Sequence, residues 1–351
     1  MIILKTINEI VKGNSNDIYL IAEAGVNHDG SIDNAKKLIE EAASAGADAI
    51  KFQSYKAGKL ASKNSPSYWD LSKQPITSQY ELFTKYDSFG APEYIELAEH
   101  AKKVGIDFMS TPFDLDAAEF LNDLMPAFKI ASADLTNHPF LKKLANYNKP
   151  LILSTGASTI GEIESAVRVI EEAGNKNIAL LHCVLSYPTQ HEDAHLNMIK
   201  HIKTVFPQYT VGYSDHTFPD DSMVSLTTAA LLGAKIIEKH FTLDKTLKGN
   251  DHFHSMDPSD VRTFINNMNK ILPLLGKNYK EPLEAEKNAI KFARRSLVAN
   301  VHISKGEEIT EEMITWKRPG TGISPIDYDK VIGRLARVDI KEDDILTWDM
   351  I

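Results

Sequence analysis

Eight short runs of almost uninterrupted apolar residues recur along this chain, and stretches long enough for helices separate most neighbours. Strands buried on both faces read this way, because helices cover the sheet they form. The runs are Ile18–Ala24, Ala49–Gln53, Asp107–Ser110, Phe128–Ser132, Leu151–Ser154, Ala179–Leu185, Thr210–Tyr213 and Lys235–Phe241. Between the first two, Ala35, Leu38, Ile39, Ala42 and Ala43 follow the 3.6-residue period of a helix that Gly46 ends. Pro92 and Gly105 open and close another before the third run. Eight alternating units predict an α/β fold closed as a parallel (β/α)8 TIM barrel.

Such a barrel uses about 250 residues, so a chain of 351 has room for a second unit. The barrel is expected over 1–276, a linker over 277–288 and a small, mostly β domain over 289–351. Within the last, the stretch from Ile303 to Ile314 matches the one from Ile340 to Ile351 at an offset of 37, through Ile303/Ile340, Thr310/Thr347, Met313/Met350 and Ile314/Ile351. Two related halves are expected. One connection breaks the barrel's rhythm: about 38 residues, 54–91, follow the second strand, where 2–6 is usual. Rich in Ser, Tyr and Gln and placed on the carboxyl face, it is expected to be a substrate-covering lid.

Charge and cysteine count restrict the partners. With 39 basic and 48 acidic side chains, a formal charge of -9 and no basic run, nucleic acid is not expected. No stretch approaches the ~18 apolar residues of a membrane span. Cys183 is the only cysteine, so no intramolecular disulfide can form, and the amino terminus lacks the apolar core and cleavage site of a signal peptide. A cytoplasmic protein is expected.

Chemistry gathers where strands run out. Ser214-Asp215-His216 and Glu238-Lys239-His240 close the seventh and eighth runs, at the barrel face that carries active sites. Strand alternation points Glu238 and His240 one way and Lys239 the other. His216 can meet His240 across the rim and offer two nitrogens to a metal, with open positions for oxygens; alternatively both histidines only hydrogen-bond in a polar mouth. An open site of this kind suits Mn²⁺ or Mg²⁺ better than structural zinc.

The same rim carries Lys51 and Gln53, Lys129, Ser132, Ser154, Thr155 and Ser214. Inward lysines are costly unless neutralised, and hydroxyls suit phosphate or carboxylate oxygens, so an anionic substrate is expected. Pairing of each lysine with Glu23 or Glu238 is the structural alternative. Gly30 supplies a tight loop after Asn27-His28-Asp29, His182 and Cys183 are expected in the core, and the loop Asp251-His252-Phe253-His254 is expected to contact substrate rather than a second metal.

Together these residues resemble the sialic acid synthase family, makers of N-acetylneuraminic, legionaminic and pseudaminic acids. The resemblance is carried by Ala22-Glu23-Ala24-Gly25-Val26-Asn27-His28, Ile50-Lys51-Phe52-Gln53, Ser110-Thr111-Pro112-Phe113, Lys129-Ile130-Ala131-Ser132, Gly212-Tyr213-Ser214-Asp215-His216, Glu238-Lys239-His240-Phe241-Thr242-Leu243-Asp244-Lys245 and Asp251-His252. The tail, from Arg295-Ser296-Leu297 to Lys317-Arg318-Pro319-Gly320, is similar to the family's antifreeze-like (SAF, β-clip) domain.

The resemblance implies an N-acetylneuraminate-type synthase that condenses phosphoenolpyruvate (PEP) with N-acetylmannosamine or a related N-acetylated amino sugar. Phosphate leaves by C–O cleavage and a nine-carbon 2-keto acid forms. It also implies that His216 and His240 hold a divalent metal, Mn²⁺ with Mg²⁺ or Co²⁺ also accommodated, and that Lys51, Thr111, Lys129, Ser132 and Ser214 surround PEP. Glu23, Tyr187 and Asp251 would address the sugar. In a homodimer, Arg318 of one small domain would reach the partner's sugar site. Glu238 is the expected proton acceptor.

Two departures bear on the sugar. Leu185 stands where neuraminate synthases carry a polar residue, often Asn, that touches PEP near the sugar end, with Ser186 next door as a substitute, and Asp251-His252-Phe253-His254-Ser255-Met256-Asp257-Pro258 replaces the usual Asp-His-Lys-Ala-Ser-Leu-Glu-Pro. A legionaminic or pseudaminic acid synthase, taking a 2,4-diacetamido-trideoxy hexose, is the alternative within the family. Outside it stand an aldolase, metal-dependent or with Lys129 as Schiff-base nucleophile, and a non-catalytic carbohydrate-binding protein.

Overall fold

The computed structural model describes residues 6–15, 17–69, 71, 74–249 and 251–351. The chain divides into two compact units, Met1–Leu274 and Leu275–Ile351. Among the described residues no helix is long and apolar enough to cross a membrane.

The first unit is built on eight parallel strands: β1 (Tyr19–Gly25), β2 (Ala49–Ser54), β3 (Asp107–Pro112), β4 (Phe128–Ile130), β5 (Leu151–Ser154), β6 (Ile178–Cys183), β7 (Thr210–Asp215) and β8 (Ile236–His240). They run in the order β3-β2-β1-β8-β7-β6-β5-β4, and β3 packs beside β4 to close the barrel. All eight expected strands are present. β4 stops at Ile130 because Ser132–Asp134 turns into a 3-10 helix, while β7 runs on to Asp215, which is in register with Lys239. Gly46 and Gly105 take left-handed φ of 100° and 89° and end the helices Ile32–Ala45 and Ala91–Val104, a conformation that glycine adopts without a Cβ penalty.

The inward positions of the strands form two layers. Ile21, Ala49, Met109, Ala127, Ile152, Leu181 and Ile236 pack with Ile7, Ile10 and Val11 of the helix Ile7–Val11, and Thr210 Oγ1 donates to the Ile10 carbonyl at 2.8 Å. The amino end of the barrel is thereby shut by apolar packing. Two residues further along each strand, and so on the same face, stand Glu23, Lys51, Thr111, Lys129, Ser154, Cys183, Ser214 and Glu238. Each strand thus passes from an apolar layer into a polar one, and the cavity opens above it.

The long connection after β2 is not bare loop. It carries the short helix Ala57–Leu60, the helix Gln79–Tyr86 and an antiparallel bridge between Pro66 and Ser78. Within the expected lid, residues 70, 72 and 73 lie outside the described residues.

In the second unit β9 (Ser296–Ala299) pairs antiparallel with β10 (Ile314–Lys317), and Leu297, Ile303, Ile309, Ile340, Leu346 and Ile351 are among its core residues. The segment read as linker carries a 3-10 turn, Glu284–Glu286, and begins the helix Lys287–Phe292. The repeat is structural. Ile303 and Ile340 bridge one another, and each half folds its turn on the same bonds 37 positions apart: Ser304 N donates to Glu307 Oε2 at 2.8 Å, as Lys341 N does to Asp344 Oδ2 at 2.8 Å. Asn300 N donates to the Met313 carbonyl at 2.8 Å, and Arg337 N to that of Met350 at 2.9 Å.

Candidate active site

A cavity of about 440 Å³ opens above the polar layer, and all eight residues of that layer line it. The inward lysines do not stand alone. Lys51 Nζ pairs with Glu23 Oε2, lies 3.8 Å from Glu238 Oε2 and donates to Thr111 Oγ1 at 3.0 Å. Lys129 Nζ lies 3.3 Å from Glu238 Oε1, which also accepts from Ser214 Oγ at 3.0 Å. Two buried cations are balanced by two buried carboxylates, which is what makes burial of either sign tolerable.

The two carboxylates are pushed apart in acidity. Burial raises Glu23 to about 7 against the opposing pull of Lys51. Glu238 also pays for its burial, but Lys129 and Lys51 together outweigh it and hold the group below the ordinary glutamate value. Glu238 is therefore held ionised between two lysines, while Glu23 is pushed towards its neutral form and accepts from Gln53 Nε2 at 3.0 Å. Such divergence of a neighbouring pair is typical of acid–base sites.

Beside this ring stands an imidazole cluster. His216 Nδ1 donates to the Val184 carbonyl at 2.8 Å, which leaves Nε2 as the lone-pair nitrogen, the arrangement metal-ligating histidines adopt. The rings of His216 and His240 are 5.4 Å apart, and Tyr187 lies 4.2 Å from the former. His240 Nδ1 is 3.6 Å from Asp251 Oδ2, whose acid burial raises to about 6. The ring of His254 is 4.9 Å from that of His240, although His254 is not among the residues that line the cavity. Among the described residues, buried polar atoms with no hydrogen-bond partner include His240 Nδ1, both nitrogens of His254, Glu238 Oε2 and Ser154 Oγ. Orphaned donors and acceptors crowded in one place are the signature of a site completed by something not made of protein.

Of the candidate residues from the sequence, Glu23, Lys51, Gln53, Thr111, Lys129, Ser132, Ser154, Tyr187, Ser214, His216, Glu238, His240 and Asp251 are brought to this one cavity. Ser186 is not: it is exposed and its Oγ donates to the Pro188 carbonyl at 3.3 Å, while Leu185 lines the wall. Arg318 lies exposed in the second unit. Leu60, Tyr68, Gln79, Leu82, Phe83 and Tyr86 of the long connection line the cavity as well. His182 is core, bonded to the Ala194 carbonyl at 2.8 Å and stacked on Tyr213. Cys183 departs from the core expectation: one residue further along β6 it faces the cavity, with Sγ 3.8 Å from His216 Nδ1.

Fold and site together define a (β/α)8 barrel whose carboxyl rim holds two lysines, each paired with a glutamate as in the structural alternative to an anionic ligand, beside a cluster of histidines. The comparisons agree with that class. The chain belongs to the NeuB family, whose model matches residues 38–280, and residues 294–351 match the SAF domain. It is 43% identical over 333 residues to the N,N'-diacetyllegionaminic acid synthase of Campylobacter jejuni, covering 93% of this chain and 98% of that one. An uncharacterised protein of Methanocaldococcus jannaschii is 45% identical over 338 residues, 96% of this chain and 95% of the other. Among solved structures, the N-acetylneuraminic acid synthetase of Leptospira borgpetersenii, in complex with citrate, superposes with a TM-score of 0.70 at 34% identity, over 79% of this chain and 91% of that one.

Proposed function

We propose that this protein is a nonulosonic acid synthase, which joins the methylene carbon of PEP to the aldehyde carbon of an N-acetylated amino sugar. Water adds to the second carbon of PEP, phosphate leaves by C–O cleavage, and a nine-carbon 2-keto acid results. The observation that carries the reading is the single polar ring in which Lys51 and Lys129 face Glu23 and Glu238 beside His216 and His240. PEP brings a phosphate and a carboxylate, and in this reading Lys51 and Lys129 receive them alongside their pairing with Glu23 and Glu238.

The donor set fits a divalent ion: His216 presents a free Nε2, and His240 Nδ1 is buried without a hydrogen-bond partner. These two histidines hold it in this reading, with Mn²⁺ favoured and Mg²⁺ or Co²⁺ accommodated. Bound there, the ion supplies Lewis-acid polarisation of the sugar aldehyde. The remaining work falls to the chain. Thr111, Ser132, Ser154 and Ser214 offer hydroxyls to the oxygens of PEP, with Gln53 beside Glu23 at the rim. Glu238, ionised between the lysines, accepts the proton of the attacking water. Glu23, Tyr187 and Asp251 orient the sugar.

The acceptor in this reading is a 2,4-diacetamido-trideoxy hexose, and the product a legionaminic-type acid. Supporting it are the C. jejuni relative and a wall of Leu60, Leu82, Phe83, Phe113 and Leu185, which suits a deoxy sugar better than a fully hydroxylated one. N-acetylmannosamine, giving N-acetylneuraminate, is the second reading, favoured by the L. borgpetersenii structure. The working unit is proposed as a homodimer in which Arg318 serves the partner's sugar site. Full activity of an Arg318→Ala enzyme, or of a monomer in sedimentation, contradicts that element.

The test is phosphate release from PEP with Mn²⁺, comparing the two sugars and adding a chelator. Release that requires sugar and metal supports the synthase, and the better sugar names the product. No release with either sugar overturns it.

A further inference from the structure

His254 is the least explained side chain near the site. It is fully buried, neither ring nitrogen has a partner, and the string usual in the family has alanine at its position. Native proteins seldom leave a buried imidazole wholly unsatisfied.

Its placement is set by backbone rather than by chance contact. Residues 252–254 form a 3-10 turn that begins beside Asp251, and in such a turn the side chains at i and i+3 eclipse, so Asp251 and His254 share one face. That turn is fastened to the end of β8. Met256 N donates to the His240 carbonyl at 2.8 Å, Thr242 N donates to the Met256 carbonyl at 3.0 Å, and Asn27 Nδ2 ties down the Phe241 carbonyl at 2.9 Å. His240, Asp251 and His254 thereby offer three donor atoms all within 4.8 Å of one another, the one such group of three among the described residues. An ion bonded at about 2.1 Å to each holds its donors roughly 3–3.5 Å apart, a closure within reach of small ring rotations.

We infer that His254 is a further protein ligand of the divalent ion, forming with His240 and with Asp251, here a ligand in place of the sugar contact read above, a two-imidazole, one-carboxylate cluster that selects Mn²⁺ or Co²⁺ over Mg²⁺. The inference rests on the synthase reading only for the presence of an ion. Two nitrogens and one oxygen leave open positions for substrate oxygens, and imidazole ligation favours first-row transition ions, whereas Mg²⁺ prefers water and carboxylate oxygens. His216 lies outside that group of three, with its ring 5.4 Å from that of His240, and a further bond from its Nε2 to the same ion is not required.

The experiment is done on the full chain, stripped of metal with a chelator and dialysed. Mn²⁺ and Mg²⁺ are titrated separately into the native protein and into His254→Ala by calorimetry, with folding checked by circular dichroism. Mn²⁺ affinity is expected to fall by about 10-fold or more, the scale seen for perturbed metal sites, while Mg²⁺ affinity falls less. Unchanged Mn²⁺ affinity in a folded His254→Ala protein overturns the assignment and leaves an ordered water as the partner of His254. His254→Cys decides the matter if the alanine variant does not fold. Loaded with Co²⁺, it is expected to gain a thiolate-to-metal charge-transfer band in the near ultraviolet that the native protein lacks despite Cys183, and absence of that band overturns the assignment. Sugar-dependent phosphate release is recorded on the native protein in parallel. Its absence, with the Mn²⁺ result standing, removes the synthase reading and keeps the ligand.

Discussion

Lys239 Nζ lies 2.7 Å from Asp215 Oδ2, and neither side chain has any solvent exposure. The pair sits one residue from His216 and one from His240, on the faces of β7 and β8 that point away from the cavity. Asp215 further accepts from Tyr213 OH at 2.7 Å and from Thr217 N at 3.0 Å, so it pins the turn that carries His216. Burial by itself would raise the Asp215 acid, but Lys239, with the hydrogen bonds from Thr217 and Tyr213, outweighs it and holds the group below the ordinary aspartate value. A depressed folded pKa means that the unfolded chain binds the proton more readily. The contribution to stability is therefore full above the unfolded value of about 4 and drains away as the pH falls towards the lower folded value. Asp215→Asn leaves Lys239 buried and uncompensated, and a loss of about 3–5 kcal/mol is expected. Thermal melts at neutral pH check the loss, and an unchanged melt removes the argument. A double variant with apolar residues at both positions should recover part of it.

Glu238→Gln tests the base. The amide keeps the volume and an oxygen for Ser214 but can no longer take a proton, and it leaves Lys129 without its carboxylate. A fall in kcat of about 10²-fold or more is expected in a protein that still folds. Undiminished turnover, measured as phosphate release, would exclude the role.

Much of the fold and the site is legible in the sequence. A strand buried on both faces needs a continuous apolar run, so the eight strands declare themselves, and the phase of alternation places Glu238 and His240 inward and Lys239 outward. Three features are hidden from it, for different reasons. Cys183 looks like core because its neighbours are apolar, yet it is in phase with Leu181, which faces the barrel interior. The helix Gln79–Tyr86 hid inside an apparent loop, although Ser78 and Glu81 form the Ser-x-x-Glu string that marks a helix start, and the Ser78 side chain does accept from Glu81 N. His254 depends on the bridge between Phe241 and Met256, a pairing across a loop that no local pattern announces.

Leu185 bears on the choice of sugar. It lines the cavity with an apolar side chain, whereas Ser186 is exposed and does not line it, so this part of the wall offers no polar group to a sugar hydroxyl. Leu185→Asn should therefore move the ratio of kcat/KM for N-acetylmannosamine against a 2,4-diacetamido-trideoxy hexose towards the former, by roughly 10-fold or more. A ratio that stays put would place sugar selection elsewhere on the wall, with Leu82 and Phe83 the next positions to change.

Gly212 is the one inward position of the lower layer with no side chain, and its neighbours explain why. It is in register with Ile236 on β8 and with Leu181 on β6. A Cβ built there would stand 2.3 Å from the Ile236 carbonyl oxygen and 3.0 Å from Leu181 Cγ. The leucine can rotate, but the carbonyl belongs to the backbone of β8 and can retreat only by shifting the strand that carries Glu238 and His240. Gly212→Ala is therefore expected to cost at least 1–3 kcal/mol, the usual range for overpacking, and to lower activity along with the melting temperature. Gly161 is the control. It lies at the start of the helix Ile160–Glu172 with nothing within 4 Å of a Cβ, so Gly161→Ala should leave stability unchanged or raise it slightly. If both alanine variants melt alike, close approach between β7 and β8 is not what reserves this position for glycine.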